Sequence, residues 1–175
     1  DWGGYWSKEG PEFLEHRFEQ YASEQRMVFG ANTVRMFQHF ASLDAAAGTV
    51  PDLADWGFWL RHHPATVISS TLPEPLDWHD ATVVTGDAVA LVTELKQESS
   101  IPLRSHGSIT LNRALLNAGL VDLIQVTVFP VISGVTGAKP IYAGAADFDL
   151  DLVDSRTFDG RIQELTYRPR LHAVR

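Results

Sequence analysis

Residues 101–131 read IPLRSHGSITLNRALLNAGLVDLIQVTVFPV, and the signals run strand, tight glycine turn, helix, strand. Residues 101–105 carry the first strand and His106-Gly107-Ser108 the turn. Leu111 and Leu115 stand four apart with Leu116 beside them, which predicts a helix over 109–118. Gly119 is placed to end it, because glycine enters the left-handed conformation without steric cost. Residues 123–131 are then β-branched and apolar, as a returning strand requires. The turn has two physical readings. The first amides of a helix lack partners within it and carry partial positive charge. A phosphate can settle on them where Gly107 leaves room and Ser108 offers a hydroxyl. Alternatively, Ser108 caps the helix and Gly107 serves only the turn.

The same unit occurs earlier in the chain. Pro11 suits a first helical turn, and Leu14, Phe18, Tyr21 and Ala22 share one face, predicting a helix over 11–25. Residues 26–29, RMVF, form a short strand, Gly30-Ala31-Asn32-Thr33 a turn, and 34–41 a helix. Asn32 or Thr33 can cap that helix or donate to a phosphate. Residues 42–51 read as a loop and 52–61 as a helix with Leu53, Trp56 and Leu60 on one side. A strand over 65–69 gives way to Ser70-Thr71, and Pro73 and Pro75 forbid regular structure beyond it. A strand over 81–85 leads into a helix ending near 97, with Asp87 as N-cap. Such alternation predicts an α/β fold with a largely parallel sheet flanked by helices. Strands over 150–157 and 161–167, joined at Asp159-Gly160, predict an antiparallel hairpin that finishes the sheet. One domain over 1–175 accounts for the whole pattern.

Composition narrows the function. A net charge of −8 argues against a broad nucleic-acid footprint, which needs clustered Lys and Arg. A small anion remains admissible, since local amides and hydroxyls can hold it. There is no cysteine, hence no disulfide framework and no thiolate metal site, as fits a reducing, cytoplasmic setting. No apolar run approaches a membrane span. His62-His63 invites a metal reading, but neighbouring side chains diverge on strand or helix, so solvated loop histidines are expected. The opening DWGGYWSKEG reads as a surface loop, with aromatics able to cover a pocket or an interface. Because residue 1 is Asp, further residues are expected upstream in the natural chain.

Several segments together resemble a known family. VFGANT at 28–33, VISSTL at 67–72, HGSITLNRALLNAGLVDLI at 106–124, FPVISG at 129–134 and LVDSRTFDGRIQELTYRP at 152–169 occur in its order. They are similar to the dihydrofolate reductase-like fold, and most of all to the reductase domain at the C-terminus of riboflavin-biosynthesis deaminase/reductases and its stand-alone bacterial relatives. The resemblance implies an NADPH-dependent reductase acting on a pteridine- or pyrimidine-like small molecule, cytoplasmic and homodimeric. It implies that Gly30, Asn32 and Thr33 lie against the cofactor phosphates, and that Ser69, Ser70 and Thr71 lie near its adenosine end. His106, Gly107, Ser108 and Ile109 would hold the pyrophosphate. The carboxylate that orients substrate in dihydrofolate reductases corresponds most nearly to Glu15.

Two departures mark this chain. Relatives commonly carry Arg directly after the first glycine, where Ala31 stands here, which leaves the choice between NADPH and NADH open; Arg35 is a candidate substitute for that 2′-phosphate partner. The family also opens with a strand that has no counterpart before the helix at 11–25, so the domain is expected to lack its first strand. The zinc motif of the deaminase half is missing. Two other function classes stay open: a nucleotide-binding protein of the same fold without catalysis, and a homodimeric interaction module built on a sheet edge or the terminal hairpin.

Overall fold

The computed structural model describes residues 8–47, 60–73, 75–132 and 142–172. In chain order the elements are α1 (Pro11–Ala22), β1 (Arg26–Gly30), α2 (Ala31–Ala47), β2 (Ala65–Ile68), β3 (Ala81–Val84), α3 (Ala88–Glu98), β4 (Leu103–Ser105), α4 (Ile109–Asn117), β5 (Ile124–Val128), β6 (Phe148–Phe158) and β7 (Ile162–Leu171). The chain divides into two compact units, residues 21–115 and residues 1–20 with 116–175.

The unit of residues 21–115 holds a wholly parallel four-stranded sheet in the order β3-β2-β1-β4. β1 has a neighbour on each side, and its Met27, Val28 and Phe29 are buried. That is why RMVF reads as a continuous apolar run rather than an alternating one. The chain steps from β1 to β2 in one direction and from β3 to β4 in the other. Right-handed crossovers therefore set α2 and α3 on opposite faces of the sheet. Phe29, Phe37 and Trp78 make a ring cluster with centroids 5.4–6.2 Å apart. The buried indole keeps a partner, donating to the His63 carbonyl at 3.3 Å.

Several boundaries differ from the sequence reading, each for a local reason. α2 starts directly after Gly30, so the four-residue turn is absent. It runs on to Ala47 through ASLDAAA, where alanines, the strongest helix formers, override the loop reading. The predicted helix over 52–61 lies largely outside the described residues, though 60–61 are helical and Leu60 is fully buried. α1 ends at Ala22, and the Gln25 amide closes back on the Ser23 carbonyl. The two adjacent histidines are not equivalent. His62 is exposed with its ring stacked on His79, whereas His63 Nε2 sits 2.5 Å from the Tyr21 carbonyl oxygen. Among the described residues no group of three or more His, Asp or Glu side chains could hold a metal ion, and no helix is long and apolar enough to cross a membrane. The caps follow the sequence: the Asp87 carboxylate accepts from Ala90 N at 2.9 Å, and Gly119 closes α4 at φ +67°.

The other unit carries a three-stranded antiparallel sheet in the order β5-β7-β6. The hairpin stands as read, with Asp159 and Gly160 at φ +51° and +65°, the pair of left-handed residues that matches strand twist. β5 does not extend the parallel sheet. It pairs antiparallel with β7, because that long strand offers a full edge over residues 163–167. The hairpin turn also caps α1. The Asp159 carboxylate accepts from Glu12 N at 3.1 Å and Phe13 N at 3.3 Å, while Glu12 Oε2 accepts from Asp159 N at 2.5 Å. This is a reciprocal capping box closed by residues distant in sequence. Gly10 is required beneath it, since a Cβ there would lie 2.1 Å from Asp159 Cγ. Phe13 meets Phe129 and Phe158 edge-on, at centroid distances of 5.3 and 5.8 Å. His16 stacks on Phe158, and its Nε2 lies 2.7 Å from the buried Glu164 carboxylate.

Replacing Asp159 by Ala removes both caps and should destabilise the protein by about 1–2 kcal/mol in urea unfolding. A second outcome concerns pH. His172 holds the Asp149 carboxyl below its ordinary 3.8, first through its hydrogen bond and then through its charge, and Arg170 adds to the effect. A depressed carboxyl favours the folded state above its unfolded pKa, and that contribution disappears as pH falls through the folded value. His172→Ala should raise the Asp149 midpoint toward 3.8 in an NMR titration of the carboxyl carbons.

Candidate functional site

Two strand-to-helix junctions lie side by side in the parallel sheet. β1 runs into α2 at Gly30–Ala31, and β4 runs into α4 through His106-Gly107-Ser108. The register Val28↔Ser105 brings both to the same, C-terminal, edge. Between β1 and β4 the order of the sheet reverses, and such a switch point opens the crevice in which open α/β sheets bind ligands. Each junction also presents helix-start amides that have no acceptor within their own helix.

A knot of hydroxyls joins the junctions. Gly30 N donates to Ser108 Oγ at 2.9 Å, Ser108 N donates to Thr33 Oγ1 at 2.9 Å, and the two hydroxyls lie 2.7 Å apart. Thr33 is buried. Ser108 therefore does not cap α4 in the ordinary way, for its φ is +46° rather than extended. Its hydroxyl is committed to Gly30 and Thr33 and ties the two helix starts together. Gly107 is exposed at φ +73°, and a Cβ there would meet Thr33 Oγ1 at 3.4 Å. With no Cβ at Gly107, a ligand atom can come close to the first-turn amides of Ile109 and Thr110.

Asn112 holds this turn in place. Its amide oxygen accepts from Ser105 Oγ at 2.5 Å, and its NH2 donates to the Gly107 carbonyl at 2.6 Å. Sequence reasoning passed over it. The available signal was an asparagine, a mediocre helix former, five residues after a turn glycine. His106 turns inward: its Nδ1 lies 3.2 Å from the Tyr21 hydroxyl, and its ring lies near Phe37.

The end of β2 contributes a second polar group. Ser69 is buried, and its Oγ accepts from Thr71 N at 3.0 Å and Leu72 N at 3.1 Å, so it shapes its own turn. Ser70 and Thr71 are exposed. Arg35, on the first turns of α2, spans from there to Thr71. Its guanidinium donates to Asn32 Oδ1 at 3.1 Å and to Thr71 Oγ1 at 2.8 Å. Asn32, Arg35 and Thr71 thus form one exposed polar group around a planar cation.

A dinucleotide phosphate suits this donor set: amides of two helix starts, a bare glycine, outward hydroxyls and one guanidinium. Glu15 belongs to the other unit and is solvent-exposed on α1; the neighbouring His16 is the one that reaches the sheet. Among the described residues of that unit the buried carboxylate is Glu164, bonded to His16 and to Gln20. Thr33→Val should leave the part-buried Ser108 amide without its acceptor and cost about 1–3 kcal/mol. Denaturant unfolding together with faster hydrogen exchange at Ser108 would register the loss.

The family model for the RibD C-terminal domain matches residues 3–163. No curated protein matches the chain. Among solved structures it is similar to a Shewanella sp. PV-4 protein named for riboflavin biosynthesis, at 20% identity over 95% of this chain and 86% of that one, with a TM-score of 0.70. It is also similar to a pyrimidine reductase-like protein from Corynebacterium diphtheriae, at 11% identity, 97% and 86% coverage and a TM-score of 0.65. Dihydrofolate reductase from Enterococcus faecalis, solved with NADP(H), shares 12% identity over 89% of this chain and 80% of its own, at a TM-score of 0.50. At these identities the likeness is one of fold: the chain has the dihydrofolate reductase-like architecture.

Proposed function

We propose that this chain, which belongs to the RibD C-terminal domain family, is an oxidoreductase that uses NADPH to reduce a pteridine- or pyrimidine-like small molecule and works as a homodimer. The observation that carries the proposal is the pair of helix starts tied together at the switch point of the parallel sheet, with Gly107 open beside them. In this reading the amides of Ile109 and Thr110 hold the pyrophosphate. The Gly30–Ser108–Thr33 knot keeps both helix starts in register to receive it. Arg35, with Thr71 and Asn32, faces the 2′-phosphate in place of the Arg that relatives carry where Ala31 stands. A planar guanidinium with a hydroxyl beside it is suited to a phosphate monoester. The nicotinamide, when bound, supplies the hydride; the protein binds, orients and excludes water.

The exposed Glu15 favours a second reading, a dinucleotide-binding protein without catalysis, since this carboxylate is the chain's nearest counterpart of a substrate-orienting acid. The two readings part in one assay. Both bind NADPH, but only the reductase oxidises it when a pteridine or a ribosylamino-pyrimidine is added.

Thermal unfolding with NADPH, NADH and FAD tests the common premise. A ligand confined to the folded state stabilises it by about 3 kcal/mol at a hundredfold excess over Kd. NADPH should give a clear rise in Tm, and Gly107→Val should abolish it, because a β-branched residue tolerates neither that φ nor that proximity. Arg35→Ala should weaken NADPH by roughly tenfold and leave NADH unchanged. If no dinucleotide shifts Tm, the proposal fails.

A further inference from the structure

Tyr21 and His106 meet behind the glycine turn of the candidate site, within the unit of residues 21–115. Tyr21 is buried, and its hydroxyl lies 3.2 Å from His106 Nδ1. The Arg104 guanidinium lies over the Tyr21 ring, 5.4 Å from its centroid. Arg104 and His106 stand two apart at the end of β4, so their side chains leave on the same side and reach the same tyrosine. The buried Gln25 fixes the cation, accepting from Arg104 Nε at 2.7 Å. His63 donates Nε2–H to the Tyr21 carbonyl, so the tyrosine is held through its backbone as well. From α2, Phe37 lies near the imidazole at a centroid distance of 6.3 Å and offers its side chain no hydrogen-bond partner.

The direction of the hydrogen bond between Tyr21 and His106 follows from this setting. A neutral imidazole has one donor nitrogen and one acceptor, and the partner of one nitrogen decides the state of the other. A phenol hydroxyl can donate or accept. A cation over the ring face draws electron density from the oxygen, which makes the hydroxyl the better donor and the poorer acceptor. The Tyr21 hydroxyl therefore donates to Nδ1, and the His106 proton sits on Nε2. Directly after His106 the backbone passes through two left-handed residues in succession, Gly107 at φ +73° and Ser108 at φ +46°. The second is not glycine, and such a conformation persists only where its surroundings hold it. Thr33 and Asn112 hold the turn on the helix side. The imidazole gripped by Tyr21 is its anchor on the strand side.

We propose that Tyr21 is a positioning residue for the dinucleotide. By locking His106 in the Nε2–H tautomer it fixes the point at which the chain enters the Gly107 turn, and with it the aim of the Ile109 and Thr110 amides. The inference rests on the dinucleotide reading given above, and it adds to that reading a buried group that acts through His106. Coupling of this kind is reciprocal: a hydrogen bond that favours the cofactor is favoured by the cofactor to the same extent.

Two measurements on the full chain test the proposal. Nitrogen NMR of the histidine rings at about pH 8, where an unperturbed imidazole is neutral, reads the tautomer without any ligand. Titration with NADPH reads the affinity. In the wild type, His106 should show an unprotonated Nδ1 that accepts a hydrogen bond. Tyr21→Phe keeps the ring and removes the hydroxyl, so it should give a mixture of tautomers and weaken NADPH by roughly three- to tenfold. A wild-type His106 with its proton on Nδ1 would overturn the proposal. So would a Tyr21→Phe variant that lowers Tm but leaves the Kd for NADPH unchanged, as a residue serving stability alone would do. Should Tyr21→Phe misfold, the wild type decides through the Tyr21 hydroxyl proton. Its exchange with solvent should slow when NADPH is added, and exchange indifferent to NADPH would overturn the role. A wild type that binds no dinucleotide removes the proposed function and this role together. An Nε2–H signal from His106 in that protein would mark the failure as one of the cofactor reading rather than of the hydrogen bond.

Discussion

Three hydrogen bonds among Gly30, Thr33 and Ser108 set the geometry on which the candidate site depends. β1 and β4 are parallel neighbours, so the helices that follow them begin at the same edge of the sheet. Two helix starts placed together concentrate unpaired donors and partial positive charge in one spot. Left alone, adjacent positive ends repel. The Ser108 and Thr33 hydroxyls supply the intervening oxygens, accepting the Gly30 and Ser108 amides. The left-handed backbone at both Gly107 and Ser108 is what brings the serine inward to do this. The proposed anion site needs no net positive charge on the protein, which reconciles the proposed phosphate ligand with an acidic chain.

Much of this was legible in the sequence because the signals were local. The run RMVF, the stop at Gly119, the cap at Asp87 and the Asp159-Gly160 turn each follow from neighbouring residues alone, and each appears where its chemistry puts it. Gly107 and Ser108 were singled out as a pair, but the direction of the serine was not readable. Its hydroxyl is aimed by Thr33, which lies 75 positions away. Arg35 reaching Thr71 is likewise a contact between two junctions that only the sheet register brings together. Asn112 escaped notice because asparagine within a helix has many innocuous uses, and its role depends on two backbone groups of a preceding turn.

Beyond the extent of α2, what the sequence misassigned were partners. A strand over 123–131 was visible, and it followed the alternation of a parallel sheet, yet β5 takes β7 as its neighbour. Period and composition say that a segment is extended; which edge it joins is decided by what edges are free and how long they are. The same limit explains Glu15 and His16. Adjacent residues on a helix differ by about 100° in direction, so a shift of one position exchanges an exposed carboxylate for an imidazole locked against Glu164.

The cap on α1 has a consequence for how the protein comes into being. Asp159 lies 147 residues beyond Glu12, whose amide it accepts. At roughly 5–20 residues per second, a ribosome needs about seven to thirty seconds to make that span. Throughout that interval the amino-terminal helix has emerged without its lid of carboxylate oxygens, and Phe13 lacks the rings of Phe129 and Phe158. This unit therefore closes only once residue 159 has been made. The nascent chain must be sheltered from its neighbours until its last hairpin arrives.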